Sequence, residues 1–371
     1  MEIRGIKYVG PFFDSSGYAQ AARSYVLALH KIGIPITLAP VAFEKDGPDL
    51  GKNGEILMSL INKDIDYNIV ITELTPEFWA QKFEPGKFNI GYTVWETSRL
   101  HPSWPGWINQ ADAVMCSCQW NVDVFKDSGV TKPVYCVPHG IDIDEIDALS
   151  VSEIQGVKPD AYKFYSIFQF TERKNPMALI KSYWHAFPNK ENVALILQTY
   201  RSNFSDSEKE AIRSTIKKLK EVSPADWYPP LYLLLDMPSR KDIFGLHKFG
   251  DCFINLNRGE GFGLTSFEAG ACGKPVITTG MGGVLEYLND DRGYTVNYTW
   301  APVSGMPWSP WYRVDQMWAE PDCLDAINKM KHVYNNRQEA AEKGIKLREF
   351  ISTELSIEAV GRKMIDVIKS I

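Results

Sequence analysis

The chain has 371 residues, which at about 150 residues per domain implies two to three domains, and its 44% apolar and 23% charged residues supply a full core for each. Its 40 Lys and Arg against 46 Asp and Glu leave a net charge of −6, so no chain-wide attraction for nucleic acid or an anionic membrane exists and only local patches remain for such contacts. Disordered, collagen-like and disulfide-scaffold classes fall away as well, and the scattered cysteines, with no signal-like apolar run after Met1, make a reducing cytoplasm the expected location.

In chain order, short β-branched or apolar runs alternate with helix-period segments, the pattern of βαβ units and a parallel sheet. Strands are predicted over Ile3–Val9, Ile34–Leu38, Asn68–Thr72, Phe88–Thr93, Ala113–Ser117 and Val134–Val137, with helices over Tyr18–Lys31, Ile56–Asn62 and Asn121–Ser128. After a candidate linker at Pro138–Asp144 and the polar stretch Ser150–Asp160, the rhythm restarts. Strands follow over Phe164–Phe168, Ala194–Gln198, Tyr232–Leu235, Cys252–Leu256 and Pro275–Thr278, alternating with helices over Pro176–Ala186, Glu208–Lys220, Lys241–Phe249 and Leu264–Cys272. The fold class is therefore α/β, with two Rossmann-like halves and a cleft between them. The segment Tyr298–Trp318, holding Trp300, Trp308, Trp311 and Trp318 among three prolines, reads as an ordered aromatic loop, and the tail from Asp322 as helical. Cys116 and Cys118 read as alternating core positions of one strand. No apolar run reaches the ~18–20 residues of a membrane-spanning helix, which leaves peripheral membrane contact open.

Four segments carry candidate chemistry. The loop Gly10–Arg23 would present the N–H groups of Ser16 and Gly17 at a helix start, or serve as an ordinary N-cap. The strand ending at Gly91–Thr97 brings Trp95 and Glu96 to the carboxyl edge of the sheet, where open α/β folds collect ligands; acceptor contact and, for Trp95, plain core packing are both compatible. His101 lies five residues beyond Glu96 and His139 in the loop after the last strand of the first half, and either would face a cleft, while the four other histidines sit in helical settings. The richest segment is Asn255–Val276, in which a buried strand leads through Glu260, Gly261, Phe262 and Gly263 into a helix starting at Leu264 and Thr265. A helix N-terminus offers unpaired donors and the positive dipole end to phosphate, and the glycines permit close backbone approach. Glu260 and Glu268 flank that space and suit vicinal hydroxyls, one of a hexose and one of a ribose, which together describe a nucleotide-diphosphate sugar. The bland reading makes Glu268 a helix-start carboxylate and Glu260 a solvated loop residue.

This segment resembles the E-x7-E motif of the retaining glycosyltransferases of family four, which have the GT-B fold; the likeness extends to Gly273–Ile277 and the pair Gly282-Gly283. Upstream, Phe168–Pro176 is similar to that family's donor-phosphate segment. Lys174 matches its lysine, but Gln169 stands where the family has an arginine, unless Arg173 takes its place. The resemblance implies an N-terminal acceptor-binding domain over 1–155 and a C-terminal nucleotide-sugar-binding domain over 156–371, with a last helix of about 356–371 packing back on the first. It also implies transfer from a UDP- or GDP-sugar to a saccharide, glycolipid or other hydroxyl acceptor, with configuration retained. Glu260 would orient the sugar, Glu268 would hold the ribose, and Lys174 and Arg173 would face the phosphates. The two Asp-x-Asp matches, at Asp64 and Asp142, follow no strand, so no metal and no other cofactor are expected. Modified DNA stays compatible as an acceptor. A non-catalytic nucleotide-sugar-binding module and a nucleotide-sugar epimerase are the competing functions.

Overall fold

The computed structural model describes residues 1–42, 47, 48, 50–151 and 153–371; Ser152, within the polar linker stretch, lies outside them. The chain divides into two compact units, Met1–Ile143 with Phe350–Ile371, and Asp144–Glu349.

The first unit contains β1 (Ile6–Gly10), α1 (Gly17–Lys31), β2 (Ile36–Pro40), α2 (Gly51–Leu60), β3 (Ile69–Glu73), β4 (Phe88–Tyr92), α3 (Trp104–Ile108), β5 (Ala113–Cys116), α4 (Gln119–Asp127) and β6 (Val134–Cys136); the chain leaves it at the start of α5 (Ile143–Ala148). Its six strands form one sheet in the order β2-β1-β3-β4-β5-β6, and every ladder is parallel. The central β3 is buried at all its positions, because a parallel sheet covered on both faces turns alternation into a continuous apolar run.

The second unit contains β7 (Tyr162–Gln169), α6 (Pro176–Ala186), β8 (Val193–Tyr200), α7 (Asp206–Val222), β9 (Leu231–Leu234), α8 (Arg240–Phe249), β10 (Cys252–Asn255), α9 (Leu264–Ala271), β11 (Val276–Thr279), β12 (Tyr294–Val296), β13 (Tyr298–Pro302), β14 (Met317–Pro321), α10 (Cys323–Asn335) and most of α11 (Arg337–Glu354). A parallel sheet in the order β12-β11-β10-β7-β8-β9 forms its centre. The chain returns to the first unit within α11, and α12 (Ile357–Ser370) packs on α1 there. Ile357, Val360, Met364 and Ile368 recur at helical spacing on the buried stripe of α12, and Gly361 permits the approach, since a Cβ there would stand 2.9 Å from the Ala28 carbonyl oxygen.

Two sequence expectations need correction. The aromatic segment is not a loop throughout: Tyr298–Pro302 pairs antiparallel with Met317–Pro321 as a separate two-stranded sheet. Prolines 302 and 321 are tolerated because both stand in non-hydrogen-bonded pairs of the ribbon, where the amide position points away from the partner strand. Cys118 lies beyond β5 and caps α4, its Sγ accepting from the Asn121 N–H at 3.4 Å, so only Cys116 is a strand position.

Candidate active site

The strand order of the second sheet reverses between β7 and β10, because β8 and β9 extend to one side and β11 and β12 to the other. In open α/β sheets such a switch point leaves a crevice at the carboxyl ends of the two strands. The loop after β7 carries Arg173 and Lys174, and the loop after β10 carries Asn257 and Glu260. A backbone bond from the Arg258 N–H to the Arg173 carbonyl (2.8 Å) stitches the loops together.

Residues 171–175 form a tight turn in which the N–H groups of Lys174 and Asn175 both reach the Thr171 carbonyl at 3.1 Å. Asn175 is left-handed (φ 51°), and Pro176 then starts α6 with its ring in the first turn. The turn resolves a difficulty in the sequence. Adjacent side chains point apart on a strand, but in this helix-like turn Arg173 and Lys174 reach the same carboxylate. The Lys174 ammonium is ion-paired with Glu260 Oε1, Asn257 Nδ2 donates to the same oxygen, and an Arg173 guanidinium nitrogen lies 3.7 Å from Oε2. Arg173 also donates to the Gly259 carbonyl at 2.7 Å. Glu260 is 8% exposed, so its charge depends on these partners rather than on water. With two cations and an amide converging on one carboxylate, the cluster keeps lone pairs for a hydroxyl and positive charge for an anion.

Gly263, at φ 82°, turns the loop into α9, and only glycine adopts that conformation without strain. Behind it, the Tyr287 hydroxyl donates to the carbonyls of Gly263 (2.9 Å) and Phe262 (3.2 Å). The Phe262 ring packs with Phe267 and Tyr287, so it forms the wall behind the loop; Leu264 and Thr265, half-buried, are the part of the first helical turn that meets solvent. Gly282 and Gly283 press against the same loop. A Cβ on Gly283 would collide with the Gly261 carbonyl and Phe262 Cα. Glu268 is buried, with Oε2 3.7 Å from His247 Nε2, and the fully buried His247 shares a 3.1 Å bond with the Tyr165 hydroxyl. The Gln169 amide donates to the Arg201 carbonyl (2.7 Å).

Three of these participants, Asn257, Arg258 and His247, were not singled out from the sequence. Asn257 had a readable signal, an amide three residues before Glu260 in the post-strand loop. Arg258 binds Glu320 through Nε (2.5 Å) and a second nitrogen (3.1 Å), and Glu172 at 3.1 Å, while its guanidinium covers the Trp318 ring at 5.0 Å. These partners are distant in sequence and carried no local signature.

In the first unit, Ser16 caps α1 through a 3.1 Å bond from the Ala19 N–H, and Gly17 opens the helix. Trp95 is 3% exposed; its indole N–H serves Thr97 and the Arg99 carbonyl, both at 2.7 Å, and its ring meets Trp104 edge-on. Glu96 is half-buried beyond it. His101 accepts from the Ser103 N–H (3.2 Å). His139 is buried against the rings of Tyr25 and Tyr92, and burial drops its pKa to about 3. The strand order of this sheet also reverses, between β1 and β3, and there Glu73 accepts from the Tyr8 hydroxyl at 2.6 Å. Burial lifts the pKa of Glu73 to about 8. Among the described residues, no group of three or more His, Cys, Asp or Glu side chains is placed to hold a metal ion, and no helix is long and apolar enough to cross a membrane.

Residues 231–299 match the family profile described as glycosyl transferases group 1. No curated protein sequence matches the chain. Across the whole chain, the fold is similar to that of Anabaena Alr3699/HepE in complex with UDP-glucose, at 12% identity and a TM-score of 0.66, with 100% of both chains covered. It is also similar to sucrose-phosphate synthase from Thermosynechococcus elongatus, at 13% identity and a TM-score of 0.69 over 99% of this chain and 98% of that one. The E. coli trehalose-6-phosphate structure bound with UDP-2-fluoro glucose has 12% identity and a TM-score of 0.68, with 99% of each chain covered. The fold is GT-B, two parallel-sheet Rossmann-like units. Within that fold, residues 231–299 are the segment similar to glycosyl transferases group 1.

Proposed function

We propose that this chain is a glycosyltransferase that moves a glycosyl group from a nucleoside-diphosphate sugar to a hydroxyl acceptor, with anomeric configuration retained and without a metal ion. The observation that carries the reading is the convergence of Lys174, Arg173 and Asn257 on Glu260 at the sheet's switch point, beside the N-terminus of α9. The diphosphate lies along Gly261–Thr265, where helix N–H groups and the dipole favour negative charge, and Lys174 and Arg173 take up the charge that develops as the glycosidic bond breaks. Glu260 accepts a sugar hydroxyl and thereby fixes the reacting carbon. Glu268 holds the ribose, and the leaving phosphate takes the acceptor's proton on the same face. In the first unit, Glu96 contacts the acceptor. UDP is the favoured nucleotide, supported by UDP-glucose in the HepE complex and UDP-2-fluoro glucose in the E. coli structure.

The test is a set of UDP-, GDP-, ADP- and TDP-sugars, scored with EDTA present for thermal stabilisation and for slow nucleotide release. A bound ligand raises apparent stability by mass action, so one sugar nucleotide should stand out and be hydrolysed at the same rate with or without chelator. Loss of that hydrolysis on chelation overturns metal independence; no response to any nucleotide overturns the donor assignment. The anomeric configuration of the product, read by NMR, decides retention.

A further inference from the structure

Tyr165 on β7, His247 on α8 and Glu268 on α9 come from three elements around the sheet's switch point and form one buried row. The Tyr165 hydroxyl stands 3.1 Å from His247 Nδ1, and His247 Nε2 stands 3.7 Å from Glu268 Oε2. Tyr165 and His247 are fully buried and Glu268 is 3% exposed, so these polar atoms depend on protein partners rather than on water. The imidazole is hemmed in by the rings of Tyr165, Phe244 and Phe253, with centroids 5.5, 5.8 and 6.0 Å away. Tyr165 is fixed in turn by Gly250, where a Cβ would stand 2.1 Å from its ring.

The row has a direction. Among the described residues, His247 is the only hydrogen-bond partner of the Tyr165 hydroxyl, so the O–H donates to Nδ1; the opposite arrangement would bury an unused O–H. With Nδ1 accepting, the ring proton sits on Nε2, the nitrogen that faces Glu268. That nitrogen has no hydrogen-bond partner among the described residues, and Oε2 lies about 0.7 Å beyond an ordinary N–H···O separation. A buried N–H held just short of a buried carboxylate costs the fold stability that is recovered only when the two meet. We propose that His247 is a positioning residue for the transfer reaction: its Nε2–H takes Oε2 of Glu268 and sets the carboxylate so that its remaining lone pairs meet the ribose hydroxyls of the donor. The inference rests on the ribose role given to Glu268 above. An apolar side chain at position 247 would fill the core but leave Oε2 without this donor.

The experiment measures, on the full chain by calorimetry, the affinities for UDP, GDP and ADP and for the 2′-deoxy and 3′-deoxy form of each, with melting curves alongside. A site that holds a hydroxyl rejects the analogue lacking it, so the wild type should prefer one ribonucleotide over a deoxy form by about tenfold or more. Glu268→Ala should remove that preference. His247→Asn keeps a polar atom beside Tyr165 but withdraws the Nε2 position, and should cut the preference to within about twofold while leaving deoxynucleotide affinity unchanged. His247→Gln returns a donor to the Nε2 position and should restore most of the preference. Tyr165→Phe, which keeps the ring on Gly250, should lower the preference part-way and carries the test if His247→Asn does not fold. The proposal is overturned if the preference survives His247→Asn, if ribonucleotide and deoxynucleotide affinities fall equally, as a purely structural histidine requires, or if His247→Gln restores nothing. Loss of the preference in Glu268→Ala but not in His247→Asn overturns the positioning role alone and leaves the donor reading standing. A preference unchanged in Glu268→Ala removes the ribose role of Glu268 and this inference with it, and a wild type that binds no nucleotide overturns both readings.

Discussion

The Lys174 ammonium and the Glu260 carboxylate join the loop after β7 to the loop after β10 at the switch point, across 86 residues of sequence. Both side chains are shielded, at 16% and 11% exposure, so each holds the other's charge in a place where neither would be stable alone.

Glu260→Gln keeps an oxygen to accept from Lys174 and Asn257, so the fold should persist while the charge that orients the sugar is lost. Turnover should fall about 10²–10³-fold, the usual effect of removing one preorganised electrostatic group. A melting curve alongside the kinetics separates this from misfolding. Unchanged transfer removes Glu260 from the chemistry.

Gly283→Ala tests the shape of the same loop. The added methyl meets backbone atoms of Gly261 and Phe262, which cannot rotate away as a side chain would. Denaturant titration should show a loss of about 1–3 kcal/mol, and nucleotide binding should weaken with it. A variant of wild-type stability would mean that the loop relaxes freely.

Glu73 makes stability depend on pH in the first unit. Its pKa, ordinarily near 4.5, stands at about 8 because the carboxyl is desolvated. The folded chain therefore keeps a proton that the unfolded chain releases between those values, and this contribution is complete below about 4.5 and lost as pH rises through about 8. Between about pH 4.5 and pH 8 this contribution should fall by up to about 1.4 kcal/mol per pH unit and then level off, and Glu73→Gln should flatten the slope. A slope that survives the substitution assigns it to another group.

His139 acts in the opposite sense. Its pKa is lowered from 6.5 to about 3 by burial, so its contribution is present above about 6.5 and declines as pH falls toward about 3. His139→Asn, still polar but not ionisable, should reduce acid sensitivity between pH 6 and pH 4 in thermal melts. Equal acid sensitivity in the variant rejects this account.

The alternating strands and helices were legible because parallel sheets require long apolar runs separated by helical periods, and α6, whose limits at Pro176 and Ala186 match the reading, shows how sharply Pro at a helix start marks a boundary. The glycine loop and its two glutamates were legible for the same local reason. What escaped was set by partners far away. The shared aim of Arg173 and Lys174 depends on a left-handed Asn175, and the ribbon Tyr298–Pro321 hides behind prolines and tryptophans whose loop-like composition says nothing of the pairing across it. Cys118 matched strand alternation, but the strand had already ended.

The first unit is discontinuous along the chain, built from residues Met1–Ile143 and completed by Phe350–Ile371, whereas the second is one unbroken run. During synthesis the six strands of the first sheet emerge early, yet the surface of α1 around Ala28 and Ile32 waits for α12 to cover it until more than two hundred further residues have been made. The second unit, though later in sequence, is the first that can finish folding. A nascent chain halted before α12 would therefore present a bare apolar groove on its earliest-made part, making that groove the natural binding point for a chaperone.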